Sequence, residues 1–371
     1  MDKIIHFIVN WYNGLSPNEL LALWSVIKIM IVIGVVQGMV AYAVLAERKI
    51  SAWIQDRVGP NRCAPPFFKA IPVVGPALIR LGIFQPLADG LKFMLKEDFT
   101  PAGVRKVYFW LAPAIAVIPS MLVVAVIPFG SQIGQQKMVI SDLNVGILYT
   151  FGIVSLGVYG IVLAGYAANS KYPFLGGIRS SAQMISYEIS MGMSVIPVLL
   201  IVGGLNLSQI IGWQAQHGWM VFYAPVSFII FLVASFAETN RLPFDLPEAE
   251  TELVGGYHTE YSSMKFALFF LGEYSNMIAS AGMMVTLFFG GWTLPFWGLD
   301  HPAATLGAGI AHILVFLVKM LLFMVLFIWV RWMFPRFRYD QLMDLGWRRF
   351  VPLALVNILI TAVVLWGRGA S

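Results

Sequence analysis

The chain has 371 residues, of which 59% are hydrophobic and only 12% are charged. Soluble domains carry about 25% charged residues, so this composition excludes an ordinary soluble protein and indicates one that folds in lipid. The apolar runs are continuous rather than alternating, which disfavours a β-barrel. We attribute the net charge of +5 to basic loops on the cytoplasmic side of a membrane and predict no nucleic-acid binding.

Cysteine and histidine usage argues against metal and haem chemistry. The single cysteine, Cys63, leaves no internal disulfide, no CxxC motif and no thiolate-ligated cluster. Of the five histidines, only His312 lies well inside an apolar run, whereas a haem held between helices needs paired axial ligands. We therefore predict no metal site and no complete catalytic site in this chain.

The sequence predicts an all-α polytopic membrane protein that forms a single membrane domain. A helix needs about 20 mainly apolar residues to cross the hydrocarbon core. Eight segments meet this requirement, at about 20–46, 107–129, 144–167, 183–203, 221–237, 266–290, 310–333 and 350–367. The N-terminus lacks the pattern of a removable signal, so we expect the first span to be retained.

Basic residues predict the orientation. Of the 24 lysines and arginines, 19 fall in alternate loops, namely 47–106, 168–182, 238–265 and 331–349. The opposite side holds only Lys3, Lys137 and Arg368. Since cytoplasmic loops carry the excess of basic residues, we expect both termini on the periplasmic side of a bacterial inner membrane.

The long first loop, 47–106, predicts two amphipathic helices at the membrane surface. ERKISAWIQDR places Ile50, Trp53 and Ile54 on one face, which is typical of an interfacial helix. QPLADGLKFMLKED, residues 85–98, predicts a second helix that Pro86 opens. Between them, residues 63–84 are mostly apolar and rich in proline and glycine, which favours a re-entrant or surface-lying segment.

The second large loop, 238–265, is acidic where the positive-inside rule favours bases. It carries six acids against Arg241 and Lys265. Asp245 and Glu248 have the spacing of a helix N-cap and its capping-box acid, which is a purely structural alternative. That alternative leaves Glu250, Glu252 and Glu260 unexplained.

Several ionisable residues lie within or at the end of predicted spans. A carboxylate at mid-membrane costs at least about 2.5 kcal/mol, so such residues indicate function. Glu188, Glu238 and Glu273 lie on polar stripes of the fourth, fifth and sixth spans, and Lys319 shares one with His312 on the seventh. We expect the four stripes to face one another, so that the glutamates and the lysine on them can exchange protons. The alternatives are a capping role for Glu238, a counter-ion role for Lys319 and structural hydrogen bonding for Glu188 and Glu273.

Three stretches carry a resemblance to a known family. They are AETNRLPFDLPEAETELVGGYHTEYSSMKFALFFLGEY (237–274), AERKISAWIQDRVGPNR (46–62) and QPLADGLKFMLKED (85–98). They resemble the H-type membrane subunit of proton-pumping NADH:quinone oxidoreductase, respiratory complex I, whose mitochondrial form is NADH dehydrogenase subunit 1. The resemblance extends over nearly the whole chain. One departure is the 22-residue segment 63–84, which we expect to pack on lipid or an adjoining subunit, the alternative being a change to the quinone site itself.

The resemblance implies a role without a cofactor of its own. FMN and iron–sulfur clusters are expected in partner subunits, quinone is the substrate, and the partners are the peripheral-arm quinone module, adjacent small membrane subunits and the lipid bilayer. Quinone contact is implied for Arg48, Gln85, Asp89, Lys92, Arg241, Phe244 and Asp245. Proton coupling is implied for Glu188, Glu238, Glu248, Glu250, Glu252 and Glu273, to which the polar-stripe argument adds Lys319. We expect quinone reduction to change the proton affinities of Glu238, Glu188 and Glu273 in sequence.

Two other functions remain open from the sequence. One is the related membrane subunit of a proton-pumping hydrogenase, which the full TNRLPFDLPEAETE signature disfavours. The other is a stand-alone proton-coupled transporter, which the intramembrane charges allow but the absence of inverted sequence repeats disfavours.

Overall fold

A computed structural model describes residues 14, 16–65, 74–134, 136–247, 250–295 and 298–369. In these ranges β structure is limited to one hairpin, β1 (Gln132–Ile133) paired with β2 (Gln136–Lys137), which confirms the all-α class. The α-helices in the described ranges are α1 (Pro17–Ile54), α2 (Val74–Leu81), α3 (Gln85–Leu95), α4 (Lys106–Val124), α5 (Gly146–Ala167), α6 (Lys171–Val202), α7 (Leu207–His217), α8 (Met220–Tyr223), α9 (Pro225–Glu238), α10 (Glu250–Leu253), α11 (Ser263–Phe288), α12 (Leu306–Met333), α13 (Tyr339–Asp344) and α14 (Val351–Gly369).

Six described helical stretches are long and apolar enough to cross a membrane. They are Ala22–Ile54 of α1, then α4, α5, α6 and α12, and the continuous stretch Tyr339–Gly367 that joins α13 to α14 through a π-helical turn. They match the first to fourth, seventh and eighth predicted spans. α9 is apolar but has 14 residues, and α11 is less apolar because it carries Lys265, Glu273 and Asn276. That α9 and α11 also cross the membrane stays a prediction.

The helix predicted after the first span is present but is not a separate element, because α1 continues without a break to Ile54. The sequence AERKISAWI contains no glycine or proline to end the helix, and its charges find partners inside the protein. The Lys49 ammonium donates hydrogen bonds to the carbonyl oxygens of Val58 (3.1 Å) and Arg80 (2.8 Å). Glu47 is buried too. The second amphipathic helix is present as α3, whereas residues 66–73 of the segment 63–84 lie outside the described residues and 74–81 form α2.

Two other predicted boundaries differ from the structure. The helix that contains the fourth predicted span, α6, starts at Lys171 rather than near 183. Pro173 does not prevent this, because it falls in the first turn, where proline is tolerated. The fifth predicted span is divided into α8 and α9 at Ala224, because Pro225 has no N–H to continue the hydrogen-bond ladder. α6 ends at Gly203, which adopts a left-handed conformation with φ of 76°.

Hydrogen bonds between loops sort the helix ends into two sets. At what we call the inner end, Phe99 N–H donates to Ser262 Oγ (3.2 Å) and Phe337 N–H to the carbonyl of Pro243 (3.1 Å). At the outer end, Ile147 N–H donates to the carbonyl of Leu205 (3.3 Å). This alternation agrees with the loop sides expected from the sequence, although the side that faces the cytoplasm stays a prediction.

α11 is the central helix of the bundle. Of its 26 residues, 17 are buried. α4 approaches it closely at Gly272, where an added Cβ would lie 3.1 Å from the carbonyl oxygen of Ala116, and approaches α5 even more closely at Gly160, where a Cβ would lie 2.7 Å from Ala116 N. Glycine therefore sets the distance between α4 and both neighbouring helices.

We predict that Gly160→Ala destabilises the protein, whereas Gly152→Ala on the same helix does not. The first substitution forces α4 and α5 apart, and overpacking costs about 1–3 kcal/mol. The second adds a Cβ with nothing within 4 Å and gains helix propensity. Thermal unfolding followed by circular dichroism in detergent compares the two variants, and equal midpoints would contradict the close approach.

Candidate functional site

A large cavity with several polar groups in its wall lies at the inner end, between α1, α3, α11 and α12. Its volume is about 550 Å³, within the range of small-molecule sites. Most of its wall is apolar, with Phe93, Phe266 and Phe270 among the larger side chains. The polar residues of this large cavity are Gln37, Glu47, Arg48, Ser51, Asp89, Tyr274 and Arg331.

Glu47 is the most highly coordinated side chain in this wall. Its carboxylate accepts hydrogen bonds from Arg331 (2.5 Å), Arg241 (2.7 Å) and the Tyr274 hydroxyl (2.6 Å). Charge-assisted bonds of this kind are about twice as strong as neutral ones. The bonds come from three different parts of the chain, so Glu47 fixes the packing of α1 against α11 and α12.

Arg241 joins Glu47 to a second buried carboxylate. Its side chain is 2% exposed, its Nε lies 2.5 Å from Glu273 Oε1, and its guanidinium stacks 4.3 Å from the Tyr274 ring centroid. Burial opposes the arginine charge, but the carboxylates of Glu273 and Glu47 outweigh it and raise the pKa of Arg241. The arginine therefore stays charged and holds both acids.

The turn after α9 positions Arg241. Asn240 takes a left-handed conformation with φ of 51°, which asparagine tolerates better than most residues. The buried Gln183 amide of α6 then donates to the carbonyls of Ala237 (2.8 Å) and Phe244 (2.6 Å), one on each side of the turn. This amide fixes the loop that carries Arg241.

A smaller cavity lies on the other side of Arg241. Its volume is about 50 Å³, and Glu238, Glu273 and Asn276 line it. An adjoining space of about 20 Å³ is lined by Glu238, Asn276 and Ser280. A water needs about 10–15 Å³ of such volume, so this glutamate cavity has room for several waters.

Glu238 has an unusual environment in the glutamate cavity. It is 1% exposed, and neither carboxylate oxygen has a hydrogen-bond partner in the described part of the chain. Glu188 of α6 is close enough to repel it electrostatically, and Ser155 hydrogen-bonds the Glu188 carboxylate. A buried unpaired carboxylate is costly, so Glu238 is suited to gain and lose a proton or to bind water.

Residues of three of the four predicted polar stripes come together, because Glu188 of α6 lies close enough to Glu238 to repel it. Glu238 of α9 and the stripe Glu273, Asn276 and Ser280 of α11 line the same cavity, in agreement with that part of the prediction. The stripe of α12 faces elsewhere. The Lys319 ammonium donates to the carbonyls of Phe289 (2.7 Å), Gly291 (3.0 Å) and Thr293 (2.6 Å), which argues against the alternative role of a counter-ion for a glutamate. Its role in proton coupling stays a prediction.

The residues expected at a quinone site divide into two groups. Arg48 and Asp89 line the large cavity and form an ion pair of 2.6 Å, to which Gln85 adds a 3.0 Å hydrogen bond. Lys92 is exposed on α3. The others lie behind the wall: Arg241 as described, Phe244 between the rings of Tyr187 and Phe337, and Asp245 paired with Arg336.

The acidic loop does not begin a helix at Leu246, which excludes the alternative of a helix N-cap at Asp245. The Asp245 carboxylate accepts from Arg336 at 2.9 Å, and the next described helix starts at Glu250. Glu252 is exposed and pairs with Arg179 at 2.7 Å. Glu248 and the side chain of Glu250 lie outside the described residues.

Four residues of the site were not predicted: Glu47, Tyr274, Arg331 and Arg336. Glu47 was assigned to a loop, but it lies seven residues after Val40 and so continues the buried face of α1. That spacing could have identified it. Arg331 and Arg336 have no local signal, because their partners lie far away in sequence.

Known proteins with similar sequences were compared with this chain. The NADH dehydrogenase family model matches residues 27–362. The chain is 48% identical over 327 residues to the first H-type subunit of NADH-quinone oxidoreductase from Cytophaga hutchinsonii, covering 86% of this chain and 90% of that protein. It is 49% identical over 343 residues to the second H-type subunit from Geobacter sulfurreducens, covering 91% and 95%. It is 47% identical over 350 residues to NADH-quinone oxidoreductase subunit 8 of Rhodothermus marinus, covering 92% and 96%.

We predict that Arg336→Gln destabilises the protein more at high pH than at low pH. Burial raises the pKa of Asp245 and Arg336 opposes this shift, so removing the arginine raises the pKa further. The folded state then binds more protons than the unfolded state. Stability therefore falls as the pH rises above the pKa of an aspartate in the unfolded chain, which is about 3.9. The loss at neutral pH is up to about 3 kcal/mol.

Thermal unfolding midpoints at about pH 5.5 and about pH 8 test this difference. Arg338→Gln is the matched control, since Arg338 and its partner Asp340 are both largely exposed. An equal loss at the two pH values would show that Asp245 does not control the effect.

Proposed function

Because the chain belongs to the NADH dehydrogenase family, we propose that it is the H-type membrane subunit of a bacterial NADH-quinone oxidoreductase, with the large cavity as part of the quinone site. The chain is thus one subunit of an enzyme complex in the membrane. Electrons reach quinone from FMN and iron–sulfur clusters in partner subunits, and this chain supplies the binding surface and the coupling to protons. Both chain termini face the periplasm, and the inner end of the helix bundle faces the peripheral arm.

The large cavity has the composition that a quinone requires. Aromatic and aliphatic side chains suit the ring and the isoprenoid tail, while polar groups at the α1 wall suit the carbonyl oxygens. Arg48 and Arg331, although each is paired with a carboxylate, present guanidinium donors beside the headgroup, where reduction places negative charge. Two-electron reduction to quinol consumes two protons, so groups near this wall must transmit or supply them.

One observation carries the coupling proposal: Arg241 binds a carboxylate of each cavity. Glu47 lines the large cavity, Glu273 lines the glutamate cavity, and the guanidinium lies between them. Negative charge on reduced quinone attracts Arg331 and weakens its hold on Glu47. The Glu47 carboxylate then draws Arg241 more strongly, and the bond to Glu273 weakens. Proton affinity in the glutamate cavity therefore follows the redox state of quinone.

We predict that Gly90→Leu raises the KM for quinone by about tenfold. Gly90 lines the large cavity, and an added Cβ would meet nothing within 4 Å, so the larger side chain fills ligand space without a clash. Gly34→Leu is the matched control, because its Cβ also meets nothing within 4 Å and it does not line the cavity. NADH oxidation by an acceptor that takes electrons upstream of quinone should be normal in both. An unchanged KM in Gly90→Leu would place quinone elsewhere.

We predict that Glu238→Gln stops proton pumping without destabilising the complex. The substitution breaks no ion pair and removes a buried charge that lacks a hydrogen-bond partner among the described residues, so stability is equal or higher. Glutamine cannot carry the proton. NADH-driven proton uptake by liposomes containing the complex measures the effect, with Glu97→Gln, an exposed acid of the same inner end, as control. Normal pumped-proton stoichiometry in Glu238→Gln would refute the relay.

A further inference from the structure

A third cavity lies between α1, α4, α11 and α12, on the outer-end side of the large cavity. Its volume is about 170 Å³ and every side chain that lines it is apolar, including Ile31 and Val35 of α1, Phe129 after α4, Ile278 of α11 and Phe316 of α12. We call it the apolar crevice. The proposed quinone site and proton path use none of its residues.

The apolar crevice extends from the lipid-facing surface into the core. Ile31 is 60% exposed and Val35 46%, whereas Ile278 and Phe316 are 2% and 3% exposed. All lie at the level of the apolar part of α1, which runs from Ala22. An apolar cavity of about 150 Å³ stays dry and accepts a benzene-sized molecule, so hydrocarbon rather than water fills this space.

A positive charge lies at the outer end of the apolar crevice. Lys28 precedes Val35 by seven residues, which places both on one face of α1. The Lys28 ammonium donates to the carbonyl oxygen of Lys137 at 2.8 Å, and Phe129 of the crevice donates its N–H to the next carbonyl, that of Met138, at 3.1 Å. The Lys137 side chain is 68% exposed and pairs with Asp142 at 2.6 Å. Two lysines and one aspartate leave a net positive charge there.

We propose that the apolar crevice binds one acyl chain of an anionic phospholipid whose phosphate is held at Lys28. Along the helix, Ile31 lies about 4.5 Å and Met39 about 16 Å from Lys28, at a rise of 1.5 Å per residue. A headgroup at Lys28 therefore leads its hydrocarbon chain directly into the crevice. The bound chain fills the space between α1 and the pair α11 and α12, the same helices that form the large cavity.

The other hydrocarbon chain that could occupy the crevice is the isoprenoid tail of quinone, which carries no anionic group to bind Lys28. One lysine near the membrane surface favours an anionic over a zwitterionic lipid by about fivefold. This preference distinguishes the two occupants, since binding of a quinone tail does not depend on the charge at residue 28.

The test uses the assembled complex, purified and placed in nanodiscs of phosphatidylglycerol or phosphatidylcholine, with retained lipids counted by native mass spectrometry. Val35→Phe blocks the crevice at its lipid-facing side. Val26→Phe is the matched control, because Val26 is 57% exposed and lies nine residues away, on the opposite face of α1. We expect Val35→Phe to retain one phosphatidylglycerol fewer than the wild type, and Val26→Phe to retain the same number.

Lys28→Gln provides an independent measurement if Val35→Phe fails to assemble. It should reduce the preference for phosphatidylglycerol by about fivefold, and Lys28→Arg should keep it. An unchanged lipid count in Val35→Phe, or an unchanged preference in Lys28→Gln, overturns the proposal. A raised KM for long-tailed but not short-tailed quinones, with the lipid count unchanged, assigns the crevice to the quinone tail and also overturns it.

Discussion

The buried charge of Arg241 is the constraint on which the inner half of the molecule depends. A guanidinium that is 2% exposed persists only with carboxylate partners, because breaking a buried ion pair costs about 3–5 kcal/mol. Its partners, Glu47 and Glu273, come from α1 and α11, and Arg331 of α12 shares Glu47. Four parts of the chain must therefore converge for any of these charges to be compensated. The same convergence creates the large cavity on one side and the glutamate cavity on the other.

Charge balance explains why Glu238 differs from the other buried acids. Three carboxylates, Glu47, Glu273 and Asp245, are matched by three arginines, so their cluster is neutral when all are ionised. Glu238 has no arginine partner in the described structure, and its proton therefore changes the net charge of this buried region by one. A neutral, rigid cluster beside Glu238 and the nearby Glu188 is an arrangement in which small changes of the field at the large cavity move a proton.

The sequence predicted what local periodicity determines and missed what long-range pairing determines. Helix periodicity placed Glu273, Asn276 and Ser280 on one face, and that face lines the glutamate cavity. The same periodicity placed Lys319 on a polar stripe but could not tell which element it meets, and the ammonium instead binds carbonyls after α11. Glu47 was missed because a span-length rule ended the helix at a cluster of charges. Those charges have partners 194 and 284 residues away, which no local rule identifies.

The polarity of α11 follows from its central position. A helix with Lys265, Glu273 and Asn276 is poorly suited to lipid, but 17 of its 26 residues are buried by neighbouring helices. The helices around it, α1, α4 and α12, are strongly apolar and carry the lipid-facing surface. The ionisable groups therefore concentrate on α11 and on the loop ends beside it. The surrounding apolar helices keep lipid away from these groups. The apolar crevice lies where this outer layer is incomplete, so a hydrocarbon chain seated there completes the barrier around the charged centre.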